Sequence, residues 1–167
     1  MNEKVKKIIH DFAPLVLIVI GVLLIKHFIV TPVQVKGDSM YPTLKDGDIM
    51  ILNKIGLRFS EIERFDIVVI KHNKTLLIKR VIGLPGDNIK YINNVLYINN
   101  KQIKEDFLDN ETTEDFEYNV EENCYFALGD NRDVSLDSRV LGCFDKSEIE
   151  GKTSLTLFPF SRIGTKK

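Results

Sequence analysis

Residues 12–30, FAPLVLIVIGVLLIKHFIV, form one nearly unbroken apolar run, and the chain beyond them alternates short β-branched stretches with Gly, Pro, Asn and Asp. At about 1.5 Å of rise per residue, a helix over this run is about 28 Å long, close to the hydrocarbon thickness of a bilayer. Lys26 and His27 interrupt it near its far end, where they can snorkel to the interface. Pro14 sits near its start, where a missing N–H costs little. Lys4, Lys6 and Lys7 precede the run, so the positive-inside rule puts residues 1–11 in the cytoplasm and residues 31–167 outside the cell. A cleavable secretory signal or a buried core helix is the alternative. A signal needs a small-x-small site after its apolar core; the chain has alanine only at 13 and 127, and TPVQVKGDSM follows the run. An uncleaved, single-pass anchor over 12–30 is therefore expected.

Beyond residue 30 there is no repeat and no long helical periodicity, and the pattern predicts a mostly β domain. Strands are expected at 33–36, 48–53, 66–71, 75–82, 89–92, 95–98, 124–128 and 154–158. Asn73-Lys74 and Asn93-Asn94 supply turn chemistry for two hairpins, because Asn tolerates positive φ. Residues 104–122 are acidic and poor in aliphatics, and read as a solvated excursion between strands.

Composition narrows the function classes. A net charge of -1, with no basic cluster, argues against a nucleic-acid partner. Cys124 and Cys143 lack both C-x-x-C spacing and neighbouring histidines, so no metal site is expected. The sequence leaves open whether they pair.

Three stretches carry candidate chemistry. GDSMYPTL, 37–44, offers Ser39, which is either a turn residue or a nucleophile needing a base. Histidine is a poor source of that base, since His10 and His27 flank or enter the apolar run and His72 falls at a hairpin tip. Lysine can serve if burial lowers its pKa by several units. Lys79, in TLLIKRVIGLPGD, lies on a strand face shared with Leu77 and Val81, although a snorkelling edge lysine gives the same pattern. GDNRDVSLDSR, 129–139, is either a self-satisfied loop or a source of hydroxyls, Ser135 and Ser138, with Asp137 and Arg139 as an internal ion pair.

Together these stretches resemble the type I signal peptidases of bacteria, membrane-anchored proteases that use a Ser/Lys dyad. The resemblance runs from the anchor to the C-terminus through Ser39-Met40-Tyr41-Pro42-Thr43-Leu44, Gly47-Asp48, Lys79 to Asp87, and Gly129-Asp130-Asn131-Arg132 with Ser135, Asp137, Ser138, Arg139 and Gly142. It implies Ser39 as nucleophile, Lys79 as general base, Ser135 as the hydroxyl orienting the amine, and an Asp137–Arg139 pair holding the loop. It also implies an oxyanion hole using the Ser39 backbone N–H. The Gram-negative branch adds a serine hydroxyl two positions before the nucleophile, where this chain has Gly37, as in many Gram-positive members; the second donor is thus open.

The implied activity is cleavage of signal peptides from secreted preproteins after small-x-small, typically Ala-x-Ala, sites through an acyl-enzyme, with no cofactor. Partners would be the emerging signal peptides and the lipid bilayer. Val33, Val35, Leu44 and Ile78 are expected to restrict the substrate pockets. The apolar Phe158-Pro159-Phe160 is expected either to dip into the outer leaflet or to pack in the core. Two other readings compete. Self-cleaving repressors share the dyad and a related β fold but are soluble, and an idle tethered module binding peptides would not need both Ser39 and Lys79.

Overall fold

The structure, a computed structural model, describes residues 3–28, 30–54, 57, 60–108 and 112–166, without the side chains of 3–6, 8, 9, 24–28 and 30. Helix α1 (Glu3–Phe28) starts well before the expected anchor, which leaves Pro14 in its interior. Residues 24–30 of that anchor lie outside those with described side chains, and among the described residues no helix is long and apolar enough to cross a membrane.

The rest is mostly β. In chain order the strands are β1 (Val30–Gln34), β2 (Ile49–Asn53), β3 (Ile67–His72), β4 (Thr75–Gly83), β5 (Asn88–Ile92) and β6 (Val95–Ile98). Then follow β7 (Lys101–Ile103), β8 (Phe116–Asn119), β9 (Cys124–Leu128), β10 (Phe144–Asp145), β11 (Ile149–Phe158) and β12 (Gly164–Thr165), with a short helix α2 (Ser138–Leu141) between β9 and β10. Among the described residues they build a large sheet in the order β1-β2-β11-β3-β4-β9-β10, with β12 on β11, and a smaller one in the order β7-β6-β5-β8.

Local sequence explains most of this. The first four residues of β3, IVVI, are all buried, as expected of a central strand covered on both faces. Asn73 at φ 56°, and Asn93 and Asn94 at 50° and 64°, make the two expected hairpin turns, and Asn99-Asn100 makes a third between β6 and β7. The first strand runs 30–34, not 33–36, because pairing with β2 sets Val30 opposite Asn53 and Gln34 opposite Ile49.

The acidic stretch 104–122 is more than a solvated excursion. It contains β8, which pairs with β5. Phe116 lies 5.1 Å from Tyr91 and 5.7 Å from Phe126, ring to ring, and Tyr118 lies 4.6 Å from Phe126. These rings join a core formed by Ile82, Ile89, Tyr91, Leu96 and Phe126. A separate cluster, Val35, Met40, Leu44, Met50 and Ile67, lies under the turn that carries Ser39.

Candidate active site

Ser39 sits on the turn between β1 and β2. Its neighbours fix the turn: Met40 and Leu44 are fully buried, Tyr41 N–H donates to the Asp38 carbonyl and Leu44 N–H to that of Met40. Gly37 takes φ +78°, a conformation an L side chain would strain. Its N–H donates to Asp46 Oδ1 at 2.7 Å, so that donor is already engaged.

Lys79 arrives from β4, where strand alternation sends it and Arg80 to opposite faces. Its side chain is buried, with the residue 3% exposed. Nζ lies 2.8 Å from Ser39 Oγ and 3.1 Å from Ser135 Oγ. Burial lowers its pKa from 10.5 to about 8; Asp137 and Asp130 oppose that shift and Arg139 adds to it. Removing water from around an ammonium disfavours the charged form more than carboxylates at this remove restore it.

The loop from β9 to α2 supplies Ser135. Asp137 caps α2 by accepting from Arg139 N–H, and also accepts from Gly129 N–H at 3.1 Å and from Arg139 Nε at 2.9 Å. Those hydrogen bonds hold its carboxyl below the usual range despite burial, which pushes the other way. A Cβ at Gly129 would collide with Ser135 Oγ and the Ser39 carbonyl oxygen, so only glycine lets the segments meet. Asn131 N–H donates to that same carbonyl at 3.1 Å.

Two buried arginines brace the loop. Arg80 binds Asp130 at 2.8 and 2.7 Å and donates to the Phe65 carbonyl, under the Phe107 ring. Arg132 donates to the Gly129 carbonyl, Tyr91 Oη, Thr113 Oγ1 and Glu105 Oε1. Glu105 and Thr113 come from the acidic stretch, and the sequence reading missed both; neither carries a local signal, since Arg132 is remote in sequence. Arg162, also missed, bridges Asp48 and the Thr43 carbonyl, each at 3.1 Å. His72, weighed as a base, lies instead 2.9 Å from Glu148.

A cleft of about 590 Å³ opens beside Ser39 and Lys79, lined by Val33, Val35, Met40 and Ile78 among others. Leu44, expected in the pocket wall, is wholly buried beneath the cleft in the Val35–Met50 cluster. β1 ends the large sheet, and β9 pairs with β4 only from Arg80 onward. Two strand edges, 30–34 and 75–79, therefore border the cleft. Cys124 and Cys143, whose pairing the sequence left open, form a disulfide between the first residue of β9 and the residue before β10. Among the described residues no cluster could hold a metal ion.

A buried amine meets a serine hydroxyl at the end of an open-edged β cleft, an arrangement compatible with a serine peptidase. The family model described as signal peptidase, peptidase S26, matches residues 7–158, and the chain belongs to that family. It is 39% identical to signal peptidase I S of Bacillus subtilis strain 168, over 97% of this chain and 96% of that protein. It is 38% identical to signal peptidase IB of Staphylococcus aureus strain Mu50, over 84% of each. A crystal structure of a signal peptidase I from Enterococcus faecalis V583 superposes with a TM-score of 0.52 at 36% identity, covering 56% of this chain and 97% of that one. The fold is thus the mostly β signal peptidase fold, and the protein is a serine endopeptidase with signal peptidase I function.

Proposed function

We propose that the protein is anchored by α1 with its N-terminus in the cytoplasm, and that its outer domain cuts signal peptides from preproteins after Ala-x-Ala sites by a Ser39/Lys79 dyad. The observation that carries this reading is the Lys79 amine, buried and 2.8 Å from Ser39 Oγ. Neutral Lys79 takes the Ser39 proton as Oγ bonds to the scissile carbonyl carbon. The Ser39 N–H steadies the resulting oxyanion. The carbon–nitrogen bond then breaks, the Lys79 ammonium returns the proton to the leaving amine, and an ester to Ser39 remains. Water deprotonated by Lys79 hydrolyses that ester and frees the serine, so the cycle requires neither metal nor nucleotide. Ser135 orients the amine, and the Asp137–Arg139 pair holds the loop that carries it.

The substrate adds as an extended strand between the edges at 30–34 and 75–79, its small side chains facing Val33, Val35 and Ile78. With α1 in the bilayer, Ser39 lies within reach of the surface at which a translocated signal peptide emerges. The test is incubation of the full chain with a labelled Ala-x-Ala preprotein, followed by mapping of the new N-terminus. Ser39→Ala and Lys79→Ala should each lower cleavage by at least a thousandfold with the fold intact by circular dichroism. Undiminished processing by Lys79→Ala would remove the dyad.

A further inference from the structure

A second cavity, about 280 Å³, lies beyond the far end of the cleft and is lined by Lys54, Lys71, Lys74, Leu76 and Glu150 among others. Three ammonium groups there face one carboxylate. Lys71 approaches Glu150 only at 4.0 Å, and no carboxylate among the described residues pairs with Lys54 or Lys74. The position is as telling as the charge. Thr31, in the cavity wall, is three residues past the end of α1, and Asn53, next to Lys54, is the cross-strand partner of Val30. Thr31, Val33, Lys74 and Leu76 line both this cavity and the cleft, so the two are continuous.

We propose that this cavity binds the headgroup phosphate of an anionic membrane lipid at the point where α1 leaves the bilayer. The proposal rests on the anchored reading above. Three extended residues span about 10 Å at most, which keeps the cavity within or beside the headgroup layer. Lysine stems can lie along apolar surface while their charged ends meet phosphate, and each one near an anionic surface strengthens attraction about fivefold. Leu76, 57% exposed, gives the glycerol and acyl part an apolar wall. Lys54 and Lys71 line this cavity but not the cleft, so their charge stands apart from the edge assigned to the substrate, and its place beside the end of α1 favours lipid as the occupant.

The full chain in an uncharged detergent, offered phosphatidylglycerol or phosphatidylcholine and weighed by native mass spectrometry, tests this. Phosphatidylglycerol should be retained at least fivefold over phosphatidylcholine. That preference should vanish in K54Q/K71Q and survive in K54R/K71R. Equal retention of the two lipids, a preference that outlasts K54Q/K71Q, or its loss in K54R/K71R would overturn the assignment. So would displacement of phosphatidylglycerol by millimolar inorganic phosphate or by an acidic peptide, which would mark a bare-anion or peptide site. Lys74 is left unchanged because it also lines the cleft, and both variants should unfold at the wild-type temperature. Alkaline carbonate extraction of membranes carrying the full chain separates the readings: release of the chain would count against the anchor itself, whereas a retained chain with no lipid preference counts against the cavity alone.

Discussion

A lysine whose pKa lies at about 8 is mostly charged at neutral pH and mostly free one unit above that value. If its free form is the base, kcat/KM rises through pH 8 to a plateau, and a profile flat between pH 6.5 and 9 would exclude Lys79 from the rate. The same shift bears on stability. The folded pKa lies below that of the unfolded chain, about 10.4, so between the two values the unfolded state holds more proton and stability rises with pH. Below pH 8 both states are protonated and the cost of burying the charge, about 3 kcal/mol, is fully present. Lys79→Met should accordingly raise Tm at pH 7 by several degrees and flatten its rise from pH 8 to 10, measured by thermal circular dichroism. That Ser39, Lys79 and Ser135 meet was legible only from the resemblance carried by their stretches together, since each stretch alone has an ordinary structural reading. Arg162, Glu105 and Thr113 were not, since their partners lie in other segments and a lone charged residue in a polar stretch gives no sign of burial. Leu44 was misplaced for a related reason: apolar character beside a nucleophile does not say which way the side chain faces.

Strands announced by β-branched runs and closed by Asn turns could be read directly, and β3, β4, β5, β6 and β9 fall within a residue or so of their expected ranges. β8 escaped because its alternation, Phe116 and Tyr118 against Glu117 and Asn119, is short and sits among carboxylates. The start of β1 depends on its partner strand, and a local pattern cannot supply register. The disulfide ties the start of β9 to the residue before β10, and the segment it closes contains Gly129, Ser135, Asp137 and Arg139. The bridged residues are 19 apart, and cross-linking a loop of that size stabilises by about 3 kcal/mol in the chain-entropy account. Reductant should therefore lower Tm by several degrees, and Cys124→Ser with Cys143→Ser should match the reduced protein. Equal melting of oxidised and reduced protein would contradict a stapled loop.

Distant segments converge on the nucleophile turn. Arg162, from the last described stretch, holds the Thr43 carbonyl and the 1%-exposed Asp48, which also accepts from Lys45 N–H. Without Arg162, Asp48 keeps its burial but loses its cation, and the turn loses one of its ties. Arg162→Ala should lower kcat about tenfold with KM little changed, because the cleft walls are untouched; Arg162→Lys should recover much of it, since both contacts come from the single nitrogen Nη2 and one ammonium can make them. A rise in KM with kcat preserved would reassign Arg162 to substrate binding.

Strand β11 lies between β2 and β3 in the large sheet, although it follows nearly every other strand in the chain. Until residues 149–158 have been delivered, the strand after the Ser39 turn and the strand next to Lys79 have no common neighbour to hold them in register. A chain cut before residue 149 keeps Ser39, Lys79 and Ser135 but lacks the strand that joins their supports, and it should leave a labelled preprotein uncut; cleavage by such a fragment would show that β11 is dispensable.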